Sequence, residues 1–522
     1  MFRNIVGISL LISLLSCSQA KEDDYEIFRY NEVSAVSSLD PIYARNQAMI
    51  WINTQLFDQL VRLDSNLNVK PSLAHTWEVL DESTRYRFHL RTDVGFHGDS
   101  LQLTAADVVF SLNRLINPKN ASPGKWIMDP VKKLQYINDS CVDIILHQPF
   151  PAFLSMLSMA YCSVIPKNID ASKIGKKPVG TGPFQLTAWH ESNKLVLRRN
   201  PNYFMKDEMG VQLPYLDGVA VSFVPDKQAA FLNFLLGEID FISGLDASYK
   251  DELLSFEGDL RPKYTNKYKM LRGPYLNTEY LGFAFENKPK NLDARQYKLL
   301  RQAINYGFDR ALMMKYLRNS IGIPAERGMV PYGLPIGTAN YGYSYQPDRV
   351  KQLLVQAGFP NGLGLTKVKL LTNASYLDLC EYIQAELAKL GISLEVEVLP
   401  PSTLREMMST GKASMFRASW IADYPDAENY LSLFKGSNKA PNGPNYTRFY
   451  HPMYDAFYEQ ALKASSDSIR YQIYAKMDSL VMSQAPVVPL YYDEAVRFCL
   501  KEWEGLSPNP LNMLDLRKVR KN

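Results

Sequence analysis

The 522-residue chain is 46% hydrophobic and 21% charged, which excludes a disordered or fibrous protein and leaves enough apolar material for more than one core. Its 58 basic and 54 acidic side chains sum to +4, spread along the sequence, so no nucleic-acid footprint is present. The 32 tyrosines, with 24 phenylalanines and 6 tryptophans, suit the amphipathic walls of a cleft or a large aromatic core.

At the N-terminus, Arg3 precedes a short apolar run over residues 5–16, which reads as a signal peptide. The run falls short of the roughly 20 apolar residues needed to span a hydrocarbon core. Leu14-Leu15-Ser16-Cys17 is similar to a bacterial lipobox, so Cys17 is expected to be lipidated and to become the mature N-terminus, with 17–24 as a tether. An ordinary secretory cut near Ala20 is the alternative. No later stretch reaches spanning length. Cys141, Cys162, Cys380 and Cys499 have no metal-like spacing, and disulfides and buried free thiols both fit.

Residues 26–41 begin as a strand and break at Leu39-Asp40-Pro41, where the proline holds Asp40 extended and a ligand-facing loop can follow. A helix is expected over 46–62, then a turn and alternating strands through 67–79 and 86–90. Thr104, with Asp107 three residues on, predicts the start of a helix whose apolar face holds Val108, Leu112 and Leu115. A strand at 141–149, a short helix at 152–160 and a Gly/Lys/Pro linker at 173–183 follow. Strands at 195–199 and 219–224, a helix at 226–236 and a strand at 239–242 continue the alternation. After 280–285 come helices at 294–317, 347–357 and 376–390 and strands at 367–372 and 393–399. This strand and helix alternation predicts an α/β fold.

Ser38-Leu39-Asp40-Pro41, the block at 86–115, PVGTGPFQL at 178–186, LVLRRNPNYF at 195–204, LRQAINYGFDR at 300–310 and RASWIADYPDAENYL at 417–431 occur in one order along the chain. Together they resemble the peptide-binding and dipeptide-binding branch of the bacterial extracellular solute-binding proteins, family 5, which serve ABC importers. The resemblance implies a periplasmic-binding-protein-like fold of the class II type, with two lobes, a hinge and an inserted subdomain. The expected division is 25–57, 180–282 and 496–522 for the first lobe, 58–179 for the insert and 283–495 for the second lobe. It further implies a short peptide as ligand, importer permease subunits as partners, a monomeric protein at the cell envelope, no cofactor and no catalysis.

The resemblance places Asp423 at the position where relatives set an acid against the ligand's ammonium group. The chemistry fits, because a buried ammonium must be paired and an ionised carboxylate makes charge-assisted hydrogen bonds. Asp423 also reads as a turn acid before Pro425, while Asp426 suits the cap of a helix near Ala427. Arg417 matches an arginine able to meet a ligand carboxylate, or it pairs with an acid of the protein itself. Ser419 and Ile421 are expected to pair through their backbone with an extended peptide, Trp420 to wall the cleft, and Arg45, Asn46 and Gln47 to line the facing lobe. A non-peptide solute (a nickel complex, an opine or an oligosaccharide) is the rival within this fold. Nothing resembles a G-x-S-x-G elbow, H-E-x-x-H or a Walker loop, which disfavours an envelope hydrolase. Gly180-Thr181-Gly182-Pro183 reads as a turn rather than a phosphate cradle, since Pro183 lacks an amide donor.

Overall fold

A computed structural model of the protein describes residues 25–98, 101–246, 248–337 and 342–522; the expected leader, Cys17 and the whole tether lie outside these ranges. In strand β1 (Ile27–Asn31), period-2 alternation sends Phe28 and Tyr30 into the first lobe's core while Ile27 stays exposed. It runs parallel to Gly218–Ser222 and touches Phe241 at Tyr30. Helix α1 (Gln47–Leu56) starts where Asn46 Oδ1 accepts from Met49 N at 3.0 Å. It buries Trp51, Ile52 and Leu56 against β1. The helix expected through 62 stops at 56, because Phe57 is already extended and leads into the hairpin of Val61–Leu63 and Val69–Pro71.

The insert is a four-stranded antiparallel sheet in the order Ala74–Leu80, Arg85–Leu90, Cys141–Leu146, Val131–Asn138, packed with the helix Ala105–Ile116. That helix begins as its sequence predicts: Asp107 Oδ2 accepts from Thr104 N at 2.8 Å, and Val108, Leu112 and Leu115 are buried. The return to the first lobe passes through Gly180-Thr181-Gly182. A Cβ at either glycine would collide with the backbone of Leu56, and His97 secures the turn from the insert's side. Its Nδ1 accepts from Gly180 N at 3.3 Å and its Nε2 lies 2.9 Å from Gly182 O. One nitrogen must accept and the other donate, which fixes the neutral Nε2–H tautomer. Burial pushes its pKa down to about 4.

A single large sheet carries both lobes. Its centre is two long antiparallel strands, β2 (Tyr268–Phe283) and β4 (Val487–Leu500), with β3 (Met415–Ile421) beside β2. Tyr268 and Phe498 lie in the first lobe's core, whereas Leu276, Tyr280 and Val487 lie in the second lobe's. The register shifts between Pro274 and Thr278, so the chain changes lobes at a bulge inside a continuous strand. The expected boundary after 282 lies at the far end of β2; the change of core comes near Leu276, and in β4 it comes between Tyr491 and Val496.

The helix expected over 294–317 is two, Ala294–Tyr306 and Arg310–Arg318, separated where Asp309 Oδ1 accepts from Leu312 N and caps the second. The four cysteines of the described residues are buried free thiols. No helix among those residues is long and apolar enough to cross a membrane.

Candidate ligand-binding cleft

Strand β3 pairs with β2 along its length, Arg417 opposite Leu281, Ser419 opposite Glu279 and Ile421 opposite Asn277. Its other neighbour, Val368–Thr372, pairs only with Met415 and Phe416, so among the described residues Ser419–Ile421 is bonded on one side only. A half-paired strand end is a template for another extended chain. Ile421 is 47% exposed there.

Past Ile421 the chain turns, tied by Ala422 N to Leu276 O at 2.8 Å. Asp423 follows, open to solvent. Asn429 Oδ1 accepts from Trp420 Nε1 at 2.8 Å and lies 3.4 Å from Asp423 N, which holds this corner. Trp420 is half-buried and also packs on the second lobe's core, so its ring serves the corner as much as the cleft wall. Loss of hydration pushes the Asp423 carboxyl up to about 6, with the side chain of Asn429 opposing; no basic side chain among the described residues contributes. The surface reaches this side chain while protein fills most of its surroundings, so water is thinned rather than excluded.

The loop behind Asp423 is anchored by acids and phenols. Tyr424 and Tyr458 both donate to Glu428, Glu428 N donates to Asp426 Oδ1 at 2.9 Å, and Arg470 lies 3.3 Å from Asp426. The Tyr424 ring is buried among the insert's core residues, its centroid 6.2 Å from that of Trp126. Insert and second lobe therefore meet beside Asp423.

The facing wall comes from the first lobe and the insert. The short turns Pro41–Tyr43 and Ala160–Cys162 pack together. Between them, the Tyr161 hydroxyl is pushed up to about 12 by burial and by Asp423, and Arg45 opposes this, so the three side chains share one region. Gly124 is required there, since a Cβ would enter the Tyr161 ring. Arg45 is exposed; Asn46 caps α1; and Gln47 Oε1 accepts from Asn512 Nδ2 at 3.0 Å. Glu32 lies nearby, its buried carboxyl pushed up to about 8 by burial with Gln47 opposing.

Arg417 sits differently from Asp423. Only 6% of its side chain is exposed; it is ion-paired with Glu279 and stacked on Tyr376. Removing one partner of such a buried pair costs about 3–5 kcal/mol. The residues that sequence reasoning missed are Glu279, Glu32, Tyr161 and Asn429. Glu279 alone carries a signal, an acid at the start of the apolar run Tyr280 to Phe285 that must be paired if buried.

Two open surface depressions, about 360 and 350 Å³, are unrelated to this corner. One is lined by residues 346–349 and Gln352; the other adjoins Ser414, at the opposite end of β3 from Asp423. Among the described residues no group of histidines, cysteines and acids could hold a metal ion.

Residues 68–442 match the model of the bacterial extracellular solute-binding proteins, family 5 (middle region). The chain belongs to that family. As a family 5 member it is a solute-binding protein of ABC importers, a class that binds peptides or related ligands and is extracellular or periplasmic rather than enzymatic. It is 26% identical over 505 residues to heme-binding protein A of Haemophilus influenzae, covering 91% of this chain and 88% of that protein. It is 25% identical over 511 residues to the glutathione-binding protein GsiB of Escherichia coli, covering 96% and 95%. The periplasmic binding protein DppA of Helicobacter pylori, solved with the peptide STSA, matches with a TM-score of 0.76 at 24% identity, over 95% of this chain and 98% of that one. That likeness establishes the two-lobed fold of the family 5 binding proteins.

Proposed function

We propose that this family 5 protein captures a short peptide between its lobes and passes it to an importer permease, held at the membrane surface by lipid on Cys17. The observation that carries the reading is Asp423, a carboxylate without a cationic partner among the described residues, placed directly beyond the half-paired end of β3. An ammonium group would complete that charge, and the open backbone of Ser419–Ile421 would take the first residues of an extended ligand whatever their side chains. Arg45, Asn46, Gln47 and the Tyr161 ring would close over the same end from the facing wall. Glutathione, named for one relative, carries such an ammonium; haem, named for another, does not and would leave Asp423 uncompensated.

Closure would turn about the bulge in β2 and its partner β4, the two long strands that join the lobes. Moving lobes from mostly open to mostly closed takes about 5.5 kcal/mol of preferential binding. An ion pair with Asp423, several backbone hydrogen bonds and burial of the Tyr161 ring against the ligand are contributions of suitable size. Native mass spectrometry of the protein as purified should show retained peptide, and Asp423→Asn should weaken trialanine binding by at least about tenfold. Unchanged affinity in that variant would remove Asp423 from the site. Recovery only of ligands without an amine would remove the peptide.

A further inference from the structure

We infer that Glu279 withholds Arg417 from the ligand, so that the cleft selects the ammonium end of its cargo and is indifferent to the carboxylate end. This rests on the peptide reading above. Arg417 shares one face of β3 with Ser419 and Ile421, since side chains alternate along a strand. Glu279, opposite Ser419 on β2, meets Arg417 diagonally across the two strands.

The pair belongs to a larger neutral cluster. Asn277 Nδ2 donates to Glu279 Oε1 at 3.1 Å and to Asp493 Oδ2 at 3.3 Å, while Asp493 Oδ1 accepts from Arg318 Nη2 at 2.8 Å. Two acids thus balance two arginines, with Tyr376 stacked on one guanidinium and Tyr491 on the other. A ligand carboxylate arriving at Arg417 would have to displace Glu279 or sit beside it. Either event buries a negative charge without a partner, which costs more than one charged hydrogen bond returns. Arg45, the exposed cation on the facing wall, is in contact with water and is correspondingly screened.

The test is calorimetry with trialanine and trialanine amide on the wild type, Arg417→Met and Glu279→Gln. The two ligands should bind the wild type within about threefold of each other, and Arg417→Met should leave that ratio unchanged. Glu279→Gln, which neutralises the acid at nearly constant shape, should shift the ratio toward the free acid by at least about fivefold. A larger wild-type preference for the acid, its collapse in Arg417→Met, or an unmoved ratio in Glu279→Gln overturns the inference. Should either variant fail to fold, the wild-type ratio and that of the remaining variant decide, and the wild-type ratio alone suffices to overturn the inference. N-acetyl-trialanine separates the two readings: binding as tight as trialanine sinks the peptide function, whatever the carboxylate ratio.

Discussion

The two ends of strand β3 treat charge in opposite ways. At Arg417 the guanidinium is sealed under the sheet, paired with Glu279 and stacked on Tyr376. Six residues on, the Asp423 carboxylate stands open and no basic side chain among the described residues contributes to its pKa. A buried charge paired inside the protein is tied to the fold, because removing its partner strands it away from water. An uncompensated charge at a cleft wall costs the folded state something and becomes useful only when a ligand supplies the counter-charge.

The largest effect that would sharpen this contrast is on stability. Arg417→Met strands Glu279 and should lower unfolding free energy by about 3–5 kcal/mol in urea melts. Replacing both partners with apolar residues, Arg417→Met with Glu279→Leu, should recover most of that loss. If the single variant is as stable as the wild type, the sealed end is not sealed.

His97 belongs with the sealed groups, and its effect is visible in acid. Its folded-state pKa of about 4 lies below the ordinary 6.5, so the unfolded chain takes up the proton first. The contribution of His97 to stability is complete above pH 6.5 and should be lost, by about 3 kcal/mol, as pH drops toward 4. His97→Gln should flatten that limb of the profile. A slope unchanged in the variant would assign it to other groups.

At the open end, the change appears in binding rather than in folding. With its carboxyl at about 6, Asp423 loses its charge as the solution is acidified, so affinity for a free-amine ligand should fall below that pH. Above about pH 8 the ligand's own amine deprotonates, and affinity should fall again. Calorimetry across pH 5–9, about one unit beyond each limit, would show the plateau between them; a flat profile would break the assignment. The smallest effect is a modest rise in the melting temperature of the ligand-free protein in Asp423→Asn, because a desolvated charge is removed.

Much of the architecture was legible in the sequence because local chemistry agrees with it. The capping box at Thr104, the alternation in 368–372 and 394–398, and the helix at 347–356 lie within a residue or two of their expected limits. The long strands β2 and β4 were not read, for a physical reason. Gly273-Pro274 lies inside β2 and Pro489 inside β4, and prolines argue against a central strand unless a bulge absorbs them. Both stand at register shifts, which tertiary pairing alone reveals. Asp309 shows a second limit, since a capping residue inside an apolar run looks like an exposed position of one longer helix.

In the candidate site, Asp423 could be singled out because the whole block from 417 to 431 carries the resemblance. Glu279 could not be joined to Arg417, because the partners lie 138 residues apart and only the pairing of β2 with β3 brings them together. Tyr161 had no signal of its own; its place follows from the packing of two short turns and from the space left by Gly124.

The most direct measurement is a two-by-two calorimetric cycle: trialanine and N-acetyl-trialanine, each with the wild type and Asp423→Asn. Direct contact between the ammonium and the carboxylate predicts a coupling of about 1.5–3 kcal/mol. A coupling indistinguishable from zero would contradict it.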